Sequence, residues 1–408
     1  MKLGLIVLTC LACALFSCGD KNERPQWISD GFDCAGQQFS AQLKAVSEPI
    51  VYPRTIRKDG KLKATPMNDW TEGFYPGCLW YMYEYTQRQE WKDAAIKWTE
   101  PLEPLKKLTN HHDIGFLMYC SFGNAYRLTG NEAYKDILVE SARSLCKRFN
   151  EKVGCIESWN YRKAWNGKDE WFYPVIIDNM MNLELLYFAS KVTGDTVFTH
   201  VANTHAETTA RNQFRKDYSN YHVVNYDEET GQVLHRATCQ GFSDNSTWAR
   251  GQAWAIYGYT MAYRETKRKD FLNMAVHTAD FWLNHPNLPE DGVPYWDFNA
   301  GQKEYVPDWN YHSEQFKVIP RDASAAAIAA SAFLELADYV LDGRKYVKAA
   351  EHILKSLSSP EYLAETGTNC NFILKHCVGS IPHGSEIDVP LVYADYYYLE
   401  ALLRYMNK

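Results

Sequence analysis

The sequence lacks the excess of positive charge that a nucleic-acid partner demands. Its 43 Lys and Arg against 50 Asp and Glu leave a net charge of −7, where a basic face is the expected footprint. Beyond its first residues it has no apolar run long enough to span a bilayer. Of its 11 cysteines, Cys10, Cys13 and Cys18 fall in the N-terminal leader, and the remaining eight are scattered without a CxxC pair. A domain of this size needs no disulfide framework, so buried free thiols are expected. No HExxH or comparable spacing accompanies the histidines. Neither a metal nor another cofactor is expected.

What the N-terminus does carry is an address. Met1-Lys2 precedes an apolar run, Leu3 to Phe16, that is too short for a stable transmembrane helix. It ends in Leu15-Phe16-Ser17-Cys18, which resembles a bacterial lipoprotein signal with Cys18 as the lipidated residue; a plain secretory signal is the alternative. The expected plan is a signal over 1–17, the lipidated Cys18 with a polar tether through 30, and one domain over 31–408. The protein is then exported, in the periplasm or membrane-anchored, and meets the membrane only through its lipid. At 46% hydrophobic residues the chain can bury a large core, and 14% are aromatic, with 13 Trp and 28 Tyr. Such a supply suits a cleft that stacks on sugar rings, and it equally suits plain packing.

A local pattern recurs along the chain. An apolar helical run ends in Tyr, Ser or Asp, a short polar turn follows, and an aromatic opens the next run. It occurs at Tyr85–Trp91, Tyr126–Tyr134, Ser190–Phe198, Tyr263–Phe271 and Tyr339–Tyr346. Gly130, Gly194 and Gly343 fit the left-handed position that closes a helix. The runs before these turns, near 72–86, 113–128, 178–191, 249–265 and 323–340, are apolar nearly all round. Those after them, near 91–107, 132–149, 196–212, 269–284 and 344–357, carry a single apolar stripe. The first kind belongs inside and the second on the surface. A further apolar run over 391–405 pairs with the amphipathic stretch near 33–48. Twelve helices alternating outer and inner predict an all-α fold, the (α/α)6 barrel.

In that plan the connections from outer to inner helices are long and gather at one rim, where a rigid scaffold holds functional residues. Inner helices open with Asn68-Asp-Trp70, His111-His112-Asp113, Ile177-Asp178-Asn, Gln240 through Trp254, Pro320-Arg321-Asp322 and His383 through Asp388. Asp113 and Asp178 each have an ordinary reading as helix N-caps, worth about 1 kcal/mol. Against it, Asp178 follows the apolar Val175-Ile-Ile177, and a second carboxylate opens the neighbouring inner helix. Paired carboxyls in a dry cleft separate their pKa values, so that one keeps its proton; a helix N-terminus favours the anion instead. His112 reads as a hydrogen-bonding neighbour of Asp113. Arg250, between Trp248 and Trp254, either pairs with Asp244 or holds an anionic ligand. Asn245-Ser-Thr247 matches a glycosylation sequon and carries no weight in a bacterial lipoprotein.

At these residues the chain resembles the unsaturated glucuronyl hydrolases, glycoside hydrolase family 88. The similar segments are Trp70-Thr-Glu-Gly-Phe-Tyr-Pro-Gly, His112-Asp-Ile-Gly-Phe, Val175-Ile-Ile-Asp-Asn-Met-Met-Asn-Leu, Ser246-Thr-Trp-Ala-Arg-Gly-Gln-Ala-Trp and Pro320-Arg-Asp-Ala-Ser-Ala-Ala-Ala, with the tail from Tyr393. The resemblance implies the (α/α)6 barrel and a hydration of the C4=C5 double bond that polysaccharide lyases leave on a terminal uronic acid. It implies Asp178 as general acid/base and Asp113 as the carboxylate that holds the ring hydroxyls. It implies His112, His235, Gln240, Trp248, Arg250 and Trp254 as substrate contacts, with Trp70 and Trp159 as looser matches. The loop 366–376, with Thr366, Thr368 and Lys375, would face the second sugar.

The expected partners are unsaturated uronyl oligosaccharides, above all from glycosaminoglycans, met by a monomer or a weak homodimer. Three rivals remain at this point. An unsaturated rhamnogalacturonyl hydrolase shares the chemistry, although the match over Ser246–Trp254 speaks against it. A glycan-binding lipoprotein has no use for two acids at inner-helix starts. An (α/α)6 epimerase would rely on a histidine pair such as His112 and His235.

Overall fold

The computed structural model describes residues 25–65, 67, 69–164, 166–167, 169–310 and 316–408; Cys18 and the leader lie outside them. The described chain forms 12 long helical segments. They are α1 (Gln26–Ala45), α2 (Phe74–Thr86), α3 (Gln89–Thr99), α4, α5 (Glu132–Cys146) and α6 (Leu183–Thr193). They continue as α7 (Thr196–Asn212), α8 (Ala249–Thr266), α9 (Lys269–Asn284), α10 (Ala323–Leu336), α11 (Arg344–Leu357) and α12 (Val392–Tyr405). Helix α4 runs Ile114–Met118, passes a π-helical turn Tyr119–Gly123, and resumes as Asn124–Thr129.

Burial separates the two rings as the sequence pattern requires. Every residue of α10 is buried, while α11 buries only Tyr346, Ala350, Ile353, Leu354 and Leu357, one stripe at helical spacing. The inner helices α2, α4, α6, α8, α10 and α12 pack side by side, and α12 closes the ring against α2. Helix α1 covers α12: a Cβ at Gly31 would stand 2.5 Å from the Tyr398 hydroxyl. The molecule is an (α/α)6 barrel.

Two details differ from the sequence reading. Gly130 and Gly194 do close α4 and α6 with φ of 67° and 74°, but Gly343 has φ −63° and opens α11 instead. It is needed for close approach, because a Cβ there would lie 2.1 Å from the Ala337 carbonyl oxygen. The tether expected through residue 30 also ends earlier. Helix α1 starts at Gln26 and buries Ile28, so residues 26–30 belong to the domain.

The long loops hold small antiparallel sheets: hairpins β1 (Tyr52–Ile56)/β2 (Leu62–Thr65), β3 (Phe149–Asn150)/β4 (Cys155–Ile156) and β5 (Arg162–Lys163)/β6 (Glu170–Trp171). A three-stranded sheet of β7 (Tyr173–Ile176), β8 (Val223–Tyr226) and β9 (Val233–Ala237) follows. The last hairpin is β10 (Cys377–Ser380)/β11 (Ser385–Val389). Among the described residues no helix is long and apolar enough to cross a membrane.

Candidate active site

Asp178 owes its place to a strand. Val175-Ile176 in β7 pairs with Val223-Val224 in β8, with Ile176 opposite Val223, and the Ile177 amide donates to the His222 carbonyl at 3.1 Å. The pairing brings the residues just beyond it together: His222 Nε2 stands 3.7 Å from Asp178 Oδ2. Asp178 lies in the first turn of the 3-10 helix Ile177–Asn182 that leads into α6, two residues past the N-cap position Ile176, so it is not the cap. The capping alternative fails equally for Asp113, which precedes α4 but leaves its cap unmade. By contrast Asp322 and Asp195 accept from Ser324 and Val197 amides at 3.1 and 3.0 Å.

The two carboxyls are held in different states. Burial pushes Asp178 up to about 7, opposed by the Arg250 charge and reinforced by repulsion from Asp113, while a hydrogen bond from the Trp254 side chain pulls it down. Asp113 is only partly exposed, but His112, His111 and Arg148 outweigh its desolvation and hold it below the usual carboxylate range. The His112 and His222 imidazoles are neutral. Burial drives His112 down to about 4 and His222 well below its ordinary value. His222 Nδ1 accepts from the Cys239 and Gln240 amides at 3.0 and 3.1 Å, so its remaining proton sits on Nε2, facing Asp178.

Aromatics wall this pair. Trp248 lies 4.5 Å from the His222 ring, Trp159 packs edge-on to it at 6.3 Å and stacks on Trp171. Trp254 meets Phe116 at 5.1 Å, and Trp70 meets Phe116 and Tyr393. Four buried polar atoms without a hydrogen-bond partner converge here: Asp178 Oδ2, His222 Nε2, His112 Nε2 and Trp248 Nε1. Buried polar groups are almost always satisfied. A cluster of exceptions beside a protonatable carboxyl marks a place where a polar ligand completes the bonding.

Arg250 is 1% exposed and does not pair with Asp244. It bonds Asp322 Oδ2 at 2.8 Å and the carbonyls of Val378 and Gly379 in β10, beneath the Trp248 ring at 4.5 Å. Asp244 instead accepts from the Thr238 amide at 2.7 Å. Gln240 joins the same hairpin, donating to the Gly379 carbonyl at 3.2 Å.

The profile of Glycosyl Hydrolase Family 88 matches residues 46–406. The chain belongs to glycosyl hydrolase family 88. An unsaturated glucuronyl hydrolase of Formosa agariphila is 48% identical over 381 residues, 91% of this chain and 90% of that protein. An unsaturated chondroitin disaccharide hydrolase of Streptococcus agalactiae is 36% identical, over 87% of this chain and 85% of its own length. Among solved structures, an unsaturated glucuronyl hydrolase specific for heparin superposes with a TM-score of 0.86 at 47% identity, covering 94% of this chain and 97% of that one.

Within this family-88 site the structure places two of the expected groups away from the carboxylates. His235 is not at the carboxylates. It sits in β9 opposite Asn225 and lines an outer hollow of about 340 Å³ with Lys163, Glu170, Phe172 and Leu234. His222, one strand earlier, is the histidine that stands beside Asp178. A signal existed: Val223-Val224 after His222 mirrors Val175-Ile-Ile177 before Asp178, and antiparallel pairing of two β-branched runs aligns their flanking residues. The loop 366–376 is held by bonds of its own. Lys375 Nζ donates to the Pro360 carbonyl at 2.8 Å, Thr368 Oγ1 to that of Glu365, and Gly367 N to Gln38 of α1.

A second cavity, about 490 Å³, lies inside the barrel and is lined by Tyr81, Glu184, Tyr257, Arg264, Glu400 and Arg404 among others. Its charges are already matched. Glu400 accepts from Tyr81 and Tyr257, and Glu335 takes Arg264 and Arg404 at 2.9 and 3.0 Å.

Proposed function

We propose that this family-88 enzyme hydrates the C4=C5 double bond of a terminal unsaturated uronic acid on lyase-generated glycosaminoglycan disaccharides. The supporting observation is the buried carboxyl of Asp178, raised to about 7, beside an anionic Asp113 and a neutral His222. A vinyl ether needs a proton donor at carbon before water can add, and a carboxyl that keeps its proton near neutrality supplies one. Asp178 delivers its proton to C4, the resulting C5 cation takes water, and that water's spare proton returns to the Asp178 carboxylate. The C5 hemiketal then opens by breaking its bond to the ring oxygen. C1 is left as an open hemiacetal, which expels the remaining sugar. Asp113 accepts from ring hydroxyls and keeps the Asp178 proton in place through repulsion. Arg250 supplies a fixed positive field that complements an acidic substrate, and the tryptophans present apolar faces to the rings.

The test follows the ultraviolet absorbance of the conjugated double bond in unsaturated chondroitin and heparin disaccharides. Wild type removes the absorbance and Asp178→Asn does not; the disaccharide consumed faster names the polymer. Persistence of the absorbance on every such substrate would overturn the reading.

We also propose export as a lipoprotein, supported by the Leu15-Phe16-Ser17-Cys18 sequence alone. Labelled fatty acid should enter the wild type and not Cys18→Ser; label in both would refute it.

A further inference from the structure

A backbone amide outside both carboxylates decides which nitrogen of His112 carries a proton. The Phe116 N–H donates to Oδ1 of Asn182 at 2.9 Å. That bond fixes the orientation of the Asn182 amide, because a backbone N–H cannot face a side-chain NH2. The NH2 group therefore faces the other way, 3.4 Å from His112 Nδ1 and 3.3 Å from Asn179 Oδ1. Asn179 agrees with this orientation, its own NH2 donating to the Ile156 carbonyl at 3.0 Å. His112 Nδ1 thus faces a donor and must accept, which leaves the proton on Nε2, 3.3 Å from Asp113 Oδ1. The arrangement repeats the one at His222, where backbone amides occupy Nδ1 and Nε2 faces Asp178.

Asn182 also sets a distance. It is the last residue of the turn Ile177–Asn182 that carries Asp178, while Phe116 follows Asp113 closely in α4. The two segments touch so tightly at Asn182 that a Cβ on Gly115 would lie 2.5 Å from both Cα and Oδ1 of Asn182. Asn182 touches neither carboxylate. We propose that Asn182 is a positioning residue for the hydration: it holds His112 as the neutral tautomer whose Nε2–H faces Asp113, and so sets the groups around the Asp113–Asp178 pair. This rests on the reading that Asp113 and Asp178 are the working pair.

Asn182→Asp separates the two duties. An aspartate still accepts from Phe116 N–H, so the spacing survives, but it faces His112 Nδ1 with an acceptor and draws a proton there. The expected result is a kcat lower by roughly 10- to 100-fold, the range known for outer partners of metal-ligating histidines. KM should change little, and the pH profile should be displaced. A purely structural Asn182 predicts wild-type kcat and pH profile in this variant, and that outcome would overturn the proposal. Ring-nitrogen ¹⁵N spectra of the wild type give a second, turnover-free measurement, the His112 signals being assigned by their absence in His112→Gln. A bare Nδ1 and protonated Nε2 are expected; a proton on Nδ1 refutes the proposal even if Asn182→Asp fails to fold. Failure of the catalytic reading itself shows elsewhere, as retained turnover in Asp178→Asn with the tautomer still as assigned.

Discussion

His222 Nε2 stands 3.7 Å from Asp178 Oδ2, and both atoms are buried without a hydrogen-bond partner. The contact joins a neutral imidazole that presents a proton to a carboxyl that keeps its own near neutrality. Neither group is solvated enough to escape the other. A substrate that brings oxygen atoms between them satisfies both, which ties binding and proton delivery to one point.

The first consequence is a pH dependence with a definite sign. Asp178 acts while protonated, and its pKa lies at about 7, so turnover should be sustained on the acid side and decline as pH rises through that value. The basic limb of log kcat against pH should reflect Asp178. Removing the Asp113 charge removes a repulsion that raises Asp178, so any residual activity of Asp113→Asn should lose its basic limb at lower pH. A limb at the same pH in both proteins would separate Asp113 from the proton on Asp178.

Arg250→Met tests the opposite field. Arg250 lowers Asp178, so the basic limb should move to higher pH in the variant. The substitution also leaves Asp322 buried without its 2.8 Å partner, and removing one member of a buried pair costs about 3–5 kcal/mol. Urea denaturation should therefore show a large loss alongside the displaced limb. Stability loss with an unmoved limb would make Arg250 a clamp for β10 and nothing more.

Asp113 and Asp178 were legible because they open inner helices, and the period of those helices could be counted from the apolar runs. Asp322 as the partner of Arg250 was not, since the ion pair crosses from α8 to α10 and no spacing rule links them. His222 was missed for a related reason. Two histidines lie in the same long loop, and only the β7–β8 pairing decides which one reaches the site. Helical periodicity says nothing about short strands inside loops, whereas the paired β-branched runs around Val175 and Val223 did carry that information.

Gly115→Ala probes the seam between the two carboxylate segments. Its added methyl would press on Asn182 Cα and Oδ1 at 2.5 Å, and both sides are buried backbone or short side chain that cannot swing away. Overpacking of this kind costs about 1–3 kcal/mol. A lowered thermal midpoint together with reduced kcat is expected. A midpoint equal to wild type would mean that the segments separate freely.

Asp395 offers a pH test remote from catalysis. It is fully buried, bonded to the Ile373 and Leu374 amides at 2.9 Å, and burial raises it to about 7 against those bonds. An unfolded aspartate titrates near ~3.9, so the folded state binds the proton more tightly. Its stabilising contribution is complete below about pH 4 and is lost as pH rises through about 7. Buried histidines titrate in the opposite sense over part of this window, so the comparison must be with Asp395→Asn. The stability of wild type over that variant should shrink between pH 4 and pH 8. A constant difference would show that Asp395 is ionised in the fold.

The sharpest contrast is between the two histidines of one loop. His222→Gln removes the Nε2–H that faces Asp178 and the acceptor that holds the Cys239 and Gln240 amides. Turnover should fall by roughly 10-fold or more, the scale known for outer partners of metal ligands, and the Gln240 segment that reaches Gly379 should loosen with it. His235→Gln changes a side chain in the outer hollow beside Lys163 and Glu170, where no contact to either carboxylate exists, so kcat and KM on a disaccharide should both stay near wild type. Measuring the pair on one substrate at one pH cancels differences in assay and loop length. If His235→Gln were the damaged enzyme and His222→Gln the intact one, the β7–β8 register that places Asp178 would be wrong, and with it the geometry on which the proton-donor role depends.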